Sequence, residues 1–358
     1  MKVLFYIGSL GRGGAERVIV NLAHSFSKVG YESVMVTSYC SEIEYPLSND
    51  IRRIVLLEKN KKRGFIGRNI FLLRSIRSIV KQEKPDIIIS FMPEMNFRII
   101  IATRRLKVKK LISVRNDPDR EYPNKILKFL AKTLYKKADA VVFQTEDAKK
   151  WFSKKIQSKS KVIANDVNPI FFETEYRGGK DIVTLGRLTE QKNHKLLIDA
   201  YKQICETHPD VNLRIYGSGK LETELKSHIA SLNLENRVFL MGQTSNSHEV
   251  LANARCFALS SDFEGMPNAL LEALVVGVPC ISTDCPCGGP KCMIEDGVNG
   301  LLTPVCDVES MSNALDRILS DNEFATTLGK NARQSSVKYK SDTVFAEWKN
   351  YVDNICEH

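Results

Sequence analysis

Arg187 and Lys192 stand in the stretch GRLTEQKNH, directly after the apolar run IVTL. Two cations on a strand-to-helix loop suit a diphosphate, because the open N–H groups of a helix start already favour an anion there. Ordinary solvated surface charge explains the same loop equally well when it is taken alone. A second stretch, SSDFEGMPNALLEALVVGVP, raises the opposite question. From Ala269 to Val278 it is almost wholly apolar, yet Glu272 sits inside it and Glu264 just before it. A buried carboxylate is expensive unless it is paired or hydrogen-bonded.

Pro267 fits the first turn of the expected helix, where its missing N–H costs nothing. The N–H groups of Asn268 and Ala269 are then open to an anion. Glu264 lies on the loop at the helix mouth, and Glu272 lies roughly 7.5 Å further along, at about 1.5 Å per residue. One carboxylate can then reach a sugar ring and the other a ribose, with phosphates between them. The competing reading pairs Glu272 with a core arginine and leaves Glu264 as a surface loop residue. The glycines of GSLGRGGAER, including Gly13 and Gly14, form a third loop between a strand and a helix, where backbone can approach a ligand closely. A tight turn without a ligand is the alternative. No GxGxxG with a following acidic residue supports a dinucleotide site. The DPD at 117–119 formally matches a metal-binding D-x-D but stands in an unsuitable context, and the spacing of Cys285, Cys287 and Cys292 lacks a fourth ligand. No metal and no cofactor is expected, and the cysteines are read as buried free thiols of a reducing compartment.

The elements that would hold these loops alternate in type. KVLFYIG, ESVMVTS, IRRIVLL, DIIISF, KKLISV and DAVVFQT read as strands, with amphipathic helical stretches over 13–29, 66–82 and 124–137. The rhythm breaks at FFETEYRGGKD, which reads as a linker, and then restarts with strands at IVTLGRL, NLRIYG, VFLMG, CFALSS and PCISTD. Helices are expected over 193–207, 219–232, 267–276 and 308–320. Near-continuous apolar strands alternating with helices predict parallel sheets covered on both faces. The fold class is therefore α/β, with two Rossmann-like domains facing a central cleft and ligands at the carboxyl ends of the strands. The expected domains are 1–170 and 171–340. The last segment, 341–358, reads as a helix with Phe345, Trp348 and Tyr351 near one side, returning to the first domain.

The chain of 358 residues carries a formal charge of +10, distributed very unevenly. Between Arg52 and Lys161 there are 30 Lys/Arg against 10 Asp/Glu. That excess suggests an anionic partner for the first half: a membrane surface, nucleic acid or a phosphorylated substrate. NKILKFLAKTLYKK places Lys125, Lys128, Lys132 and Lys136 on one helical side, with Ile126, Leu127, Leu130 and Leu134 on the other. FIGRNIFLLRSIRSIVKQ sets Arg74, Arg77 and Lys81 beside an apolar stripe. Basic amphipathic helices suit anionic membranes, although any helix packed on a sheet is amphipathic. No apolar run reaches the roughly 20 residues of a spanning helix, and the N-terminal run reads as a strand rather than a signal peptide.

Taken together, GRLTEQKNHKLLIDAY, EGMPNALLEALVVGVPCISTDCPCGGP, EDGVNGLLTPVCDVESMSNAL and the N-terminal GGAERV resemble a bacterial retaining glycosyltransferase of family four. The resemblance covers essentially the whole chain and is strongest over 182–315. It implies the GT-B fold and transfer of a hexose or N-acetylhexosamine from a UDP-sugar to a lipid-linked glycan. It further implies synthesis of capsule, O-antigen or exopolysaccharide, on the inner face of the plasma membrane. Arg187 and Lys192 match the pair that binds the donor diphosphate. Glu264 matches the glutamate that holds the donor sugar, and Glu272 the one that binds the ribose. Gly13 and Gly14 match the loop near the donor phosphate, and Asn165 the asparagine ending the first domain. Arg115, followed by Asn116, stands where many relatives carry histidine, so these two are assigned to the acceptor and the histidine's role is not transferred. With no evident covalent nucleophile, retention is expected by front-side attack within an ion pair. The alternatives are another GT-B enzyme, such as a UDP-sugar epimerase, and a nucleic-acid-binding protein. The retained motifs speak against the first, and the absence of a recognisable binding module against the second.

Overall fold

In a computed structural model, which describes residues 1–11, 13–57 and 64–357, the chain divides into two compact units. The first comprises 1–165 with 342–358, and the second 166–341.

The first unit is built on a seven-stranded parallel sheet: β1 (Lys2–Ile7), β2 (Glu32–Thr37), β3 (Arg52–Val55), β4 (Ile87–Phe91), β5 (Lys109–Ser113), β6 (Ala140–Phe143) and β7 (Ser160–Val162). The strand order is β3-β2-β1-β4-β5-β6-β7, so the order reverses between β1 and β4. Strands β1 and β4 are apolar without alternation because both faces are covered. One face packs on the helix Gly14–Lys28 and on the C-terminal helix Ser341–Glu357. Trp348 is sealed against Phe91, ring centroids 6.0 Å apart, and Phe345 meets Phe26 edge-on at 5.1 Å. The other face carries the helices Phe65–Glu83 and Pro93–Ala102.

The second unit holds a six-stranded parallel sheet: β8 (Ile182–Leu185), β9 (Leu213–Tyr216), β10 (Val238–Gly242), β11 (Cys256–Leu259), β12 (Cys280–Thr283) and β13 (Leu301–Thr303). Its order is β10-β9-β8-β11-β12-β13, with the reversal between β8 and β11. Ligands of such sheets bind at the carboxyl ends of the strands beside that reversal. The loops after β8 and β11 carry Arg187, Lys192 and Glu264 there.

All eleven strands named from the sequence form. Several elements were not among them: edge strands β7 and β13, and the helices Pro93–Ala102 and Asn322–Ser335. The segment read as a linker is packed onto the second unit. Arg333 donates to the carbonyls of Phe172 and Thr174, each at 2.8 Å, and Gly179 leaves no room for a side chain against the Asn253 carbonyl. Cys205, Cys256, Cys280 and Cys285 are buried free thiols, but Cys292 and Cys306 are exposed, so burial does not describe the whole set.

Candidate functional site

The chain turns sharply after β8. Gly217, at φ +145°, follows β9 so closely that a Cβ there would lie 1.8 Å from the Gly186 carbonyl oxygen. The two loops therefore pack backbone to backbone, and Gly186 leaves space for the Lys192 stem across it. Asn193 takes the left-handed conformation and caps the helix His194–Ile204, its side chain accepting from the Leu196 N–H at 3.2 Å. Asparagine tolerates that backbone where a β-branched residue would not. His194 is buried beneath the loop, and burial together with nearby Lys192 pushes it down to about 4. It is therefore neutral near pH 7. Its Nε2 lies 3.2 Å from the Arg187 carbonyl oxygen, so that nitrogen carries the proton and donates.

Glu264 is 6% exposed, which removes the reading of a surface loop residue. Its Oε1 lies 2.5 Å from Lys192 Nζ and accepts from Ser261 Oγ at 2.7 Å. Gln191 reaches Oε2 at 3.4 Å and the Phe263 carbonyl at 2.9 Å. Thr283 Oγ1, at the end of β12, donates to the Ser261 carbonyl at 2.5 Å. The carboxylate of one loop is thus fixed to the ammonium of another across 72 residues of sequence. The backbone supports this join: the Asp262 N–H donates to the Gln191 carbonyl at 2.9 Å, and Asn193 reaches Asp262 at 2.7 Å. A Cβ on Gly289 would fall 1.5 Å from the Gly265 carbonyl oxygen, so only glycine lets the Glu264 loop lie there. Buried Cys285 sits close by, and burial with the Glu264 charge raises its thiol to about 12, which keeps it protonated.

Arg187 differs from Lys192. It is exposed, and its guanidinium has no hydrogen bond or ion pair among the described residues. The helix Asn268–Val276 starts beside the Glu264 loop without a side-chain cap, with Asn268 and Ala269 half-buried at its mouth. Glu272, one turn in, is 5% exposed. Little of this residue is therefore open to solvent. The second unit thus brings together Arg187, Lys192, Glu264 and a helix start without a side-chain cap.

In the first unit the strand ends gather a polar group. Arg115, just past β5, is buried over the Phe91 ring at 4.7 Å from its centroid and donates through Nη2 to Asn165 Oδ1. Gln144 Nε2, just past β6, shares that oxygen at 2.8 Å. Asn116 accepts from the Asp117 N–H at 2.9 Å. Gly13 caps the helix Gly14–Lys28 and lies under the Glu16 carboxylate, while Gly14 is exposed. Arg12 of the same loop lies outside the described residues. The DPD carboxylates have local partners: Asp117 accepts from the Asp119 N–H at 3.0 Å, and Asp119 pairs with Lys128 at 2.5 Å. Sequence reading missed Gln191, Ser261, Thr283, Gln144 and His194. Gln191, His194 and Ser261 stand within three residues of named ones and were within reach, whereas Gln144 and Thr283 are linked only through space.

Two parallel Rossmann-like sheets with these loops define a GT-B protein. Solved structures share the fold: the Anabaena protein Alr3699/HepE in complex with UDP (TM-score 0.81, 18% identity, 99% of this chain and all of that one) and the lipopolysaccharide outer core galactosyltransferase WaaB (TM-score 0.78, 22% identity, 99% of each chain). The family described as glycosyltransferase family 4 matches residues 12–170, and that described as glycosyl transferases group 1 matches 168–335. The chain belongs to these group 1, family 4 glycosyltransferases. Among its curated relatives, a Campylobacter jejuni protein is 27% identical over 99% of each chain. It is named GalNAc-alpha-(1->4)-GalNAc-alpha-(1->3)-diNAcBac-PP-undecaprenol alpha-1,4-N-acetyl-D-galactosaminyltransferase. A second C. jejuni protein, an N-acetylgalactosamine-N,N'-diacetylbacillosaminyl-diphospho-undecaprenol 4-alpha-N-acetylgalactosaminyltransferase, is 29% identical over 90% of this chain and 91% of its own.

Proposed function

We propose that the protein is a retaining transferase. It moves a hexose or N-acetylhexosamine from a UDP-sugar to a lipid-diphosphate-linked glycan in cell-surface polysaccharide synthesis. The observation that carries this reading is the joined pair of loops in the second unit. There Arg187, a cation unpaired among the described residues, and the oriented Lys192–Glu264 pair stand beside a helix start that has no side-chain cap. The names of the two C. jejuni relatives supply the acceptor class.

The chemistry follows from charge. As the bond between the sugar C1 and the diphosphate oxygen breaks, that oxygen keeps the electron pair. Arg187, Lys192 and the helix N–H groups of Asn268 and Ala269 stabilise the negative charge, each well-placed donor being worth about 3 kcal/mol. Glu264 orients Lys192 and binds donor-sugar hydroxyls, and Glu272 binds the ribose. The acceptor hydroxyl oxygen bonds to C1 on the face the leaving group vacates, which retains configuration, and its proton passes to the departing phosphate. Gly13 and Gly14 meet the donor phosphate, and Arg115 and Asn116 meet the acceptor. The lipid-linked acceptor places the enzyme at the inner membrane face as a peripheral protein. No helix among the described residues is long and apolar enough to cross a membrane.

Arg187→Ala tests the carrying observation with little risk to the fold, because the side chain is exposed and unpaired among the described residues. The expected result is a fall in kcat of about a hundredfold with UDP-sugar, at unchanged melting temperature. Wild-type kcat in this variant would remove the diphosphate reading of the loop.

A further inference from the structure

Between β2 and β3 the chain runs from Ser38 to Ile51 without forming a helix or a strand. It is nevertheless tied down along its length. Ser38 and Tyr39 extend the pairing with β1, their N–H groups donating to the Ile7 and Gly8 carbonyls at 3.2 and 3.0 Å. Further on, Glu44 forms an antiparallel bridge with Gly11, and the Tyr45 N–H donates to the Leu10 carbonyl at 2.8 Å. The Ser48 N–H then donates to His24 at 3.1 Å, and Ser27 donates to Asp50. The connection is therefore a strap along the glycine loop and the helix Gly14–Lys28 that follows it.

One carboxylate fastens strap to loop. Glu44 Oε1 accepts from the Leu10 N–H at 3.3 Å and from the Ser41 N–H at 2.8 Å. Arg53 of β3 grips both oxygens, Nη1 reaching Oε2 at 2.5 Å and Nη2 reaching Oε1 at 3.0 Å. The same guanidinium donates through Nε and Nη2 to Thr37 Oγ1, at the end of β2, at 3.2 Å each. The fork of a guanidinium is planar and fixed, so it sets the direction of the carboxylate as well as its charge. Side-chain exposures of 23% for Arg53 and 16% for Glu44 keep the pair partly screened from water. The Arg53 hydrogen bonds, against the opposing effect of burial, hold Glu44 down to about 2.

From this pair the order passes to the glycines. Ser41 Oγ donates to Ser9 Oγ at 2.8 Å, and Ser9 Oγ accepts from the Gly11 N–H at 3.3 Å. The Gly13 N–H donates to the Gly11 carbonyl at 2.7 Å, and the Gly13 carbonyl accepts from the Arg17 N–H at 3.1 Å. An ion pair that merely fastens an edge strand is the ordinary reading of Glu44 and Arg53. Strand β3 does not need it, because Arg52 to Val55 are already in register with Val34 to Thr37. What the pair adds is the hold on Leu10 and the strap.

We infer that Glu44 is a positioning residue of the transfer reaction: oriented by Arg53, it fixes the backbone of the glycine loop that receives the donor phosphate. The inference rests on the proposed contact of Gly13 and Gly14 with that phosphate. Glu44 acts through the loop and needs no contact of its own with the donor.

The test uses Glu44→Gln in the full chain, which keeps the size and an acceptor oxygen but removes the charge that Arg53 holds. Without substrate, amide hydrogen exchange over residues 8–14 should quicken about tenfold, while the amides of β4 and β5 exchange as in wild type. With UDP-sugar and acceptor, KM for the donor should rise about tenfold, the scale of one hydrogen bond to a charged group. The acceptor KM and kcat should stay near wild type, because a loop that grips the phosphate before and during transfer contributes uniform binding. Arg53→Gln should give the same two changes, and the double variant no more than either alone, since each breaks the same pair. Arg53→Lys is milder for the fold: it keeps the cation, loses the fork and should show the same pattern at smaller size.

Unchanged exchange over 8–14, additive effects in the double variant, or quickened exchange with a wild-type donor KM would overturn the inference. So would a fall in kcat and melting temperature with both KM values altered alike, which would make the pair a general prop of the fold. The exchange reading needs no sugar transfer. If wild type transfers sugar from no UDP-sugar, the proposed function is rejected, and exchange alone decides whether Glu44 orders the loop. If wild type is active and the variants keep its donor KM, the proposed function stands and the positioning role is rejected.

Discussion

Glu264→Gln is expected to lower kcat/KM for sugar transfer by about a thousandfold while leaving a folded protein. The side chain keeps its volume and its contact with Ser261, but the charge facing Lys192 is gone. That charge has two consequences. It holds the ammonium 2.5 Å away in a nearly sealed pocket, with side-chain exposures of 13% for Lys192 and 8% for Glu264. In the proposed mechanism it also supplies acceptor oxygens for the donor-sugar hydroxyls. Removing one partner of a buried pair leaves the other charge uncompensated, a cost of about 3 kcal/mol. Part of that cost should appear as a lower melting temperature. Steady-state kinetics separate the contributions: loss in kcat with KM nearly constant marks a group acting in the transition state. A variant that is only less stable, with wild-type kcat/KM below its melting range, would make Glu264 a structural residue.

Glu121→Gln should make the protein markedly more stable in alkali and change little in acid. Glu121 closes the short helix Pro118–Glu121. Both carboxylate oxygens are sealed from solvent, and neither makes a hydrogen bond of normal geometry among the described residues. Burial pushes the group up to about 8, against the partial pull of the Arg115 backbone N–H and guanidinium; Asp117 adds to the rise. A carboxyl with a raised folded value binds its proton more tightly in the native state. Its favourable contribution is complete below the ordinary value near 4.5, and is lost as pH rises towards about 8. Each pH unit inside that window is worth up to about 1.4 kcal/mol, so wild type should lose a few kcal/mol between pH 5 and pH 8.5 from this group. The glutamine variant cannot ionise and should lack this slope. Urea unfolding at pH 5, 7 and 8.5 measures it, and parallel pH profiles for the two proteins would contradict the assignment.

The strands were legible because both faces of each sheet are covered, so β1, β4 and β11 are nearly continuous apolar runs. Edge strands β7 (SKV) and β13 (LLT) carry three residues each, too few for a pattern, and β7 is half-buried throughout. In the site, Arg187, Lys192 and Glu264 announced themselves because polar residues interrupt apolar runs at strand ends. Their coupling did not, since the ion pair spans 72 positions and depends on two loops meeting in space. Glu272 shows the limit of helical spacing as an argument. Its distance along the helix was readable, but its depth was set by packing of the helix face. Ile126 shows a second limit: it was read on the apolar side of its helix, and the structure leaves it exposed. Amphipathic periodicity identifies an apolar face and is silent on whether sheet or solvent lies against it.

The purified protein is given a panel of UDP-hexoses and UDP-N-acetylhexosamines with a polyprenyl-diphosphate-linked saccharide. Released UDP is quantified, and the anomeric configuration of the new linkage is read by NMR. The expected result is UDP release dependent on the acceptor, for one donor of the panel, with the donor's α configuration kept in the product. A β linkage, or acceptor-independent conversion of the UDP-sugar to its epimer, would contradict it.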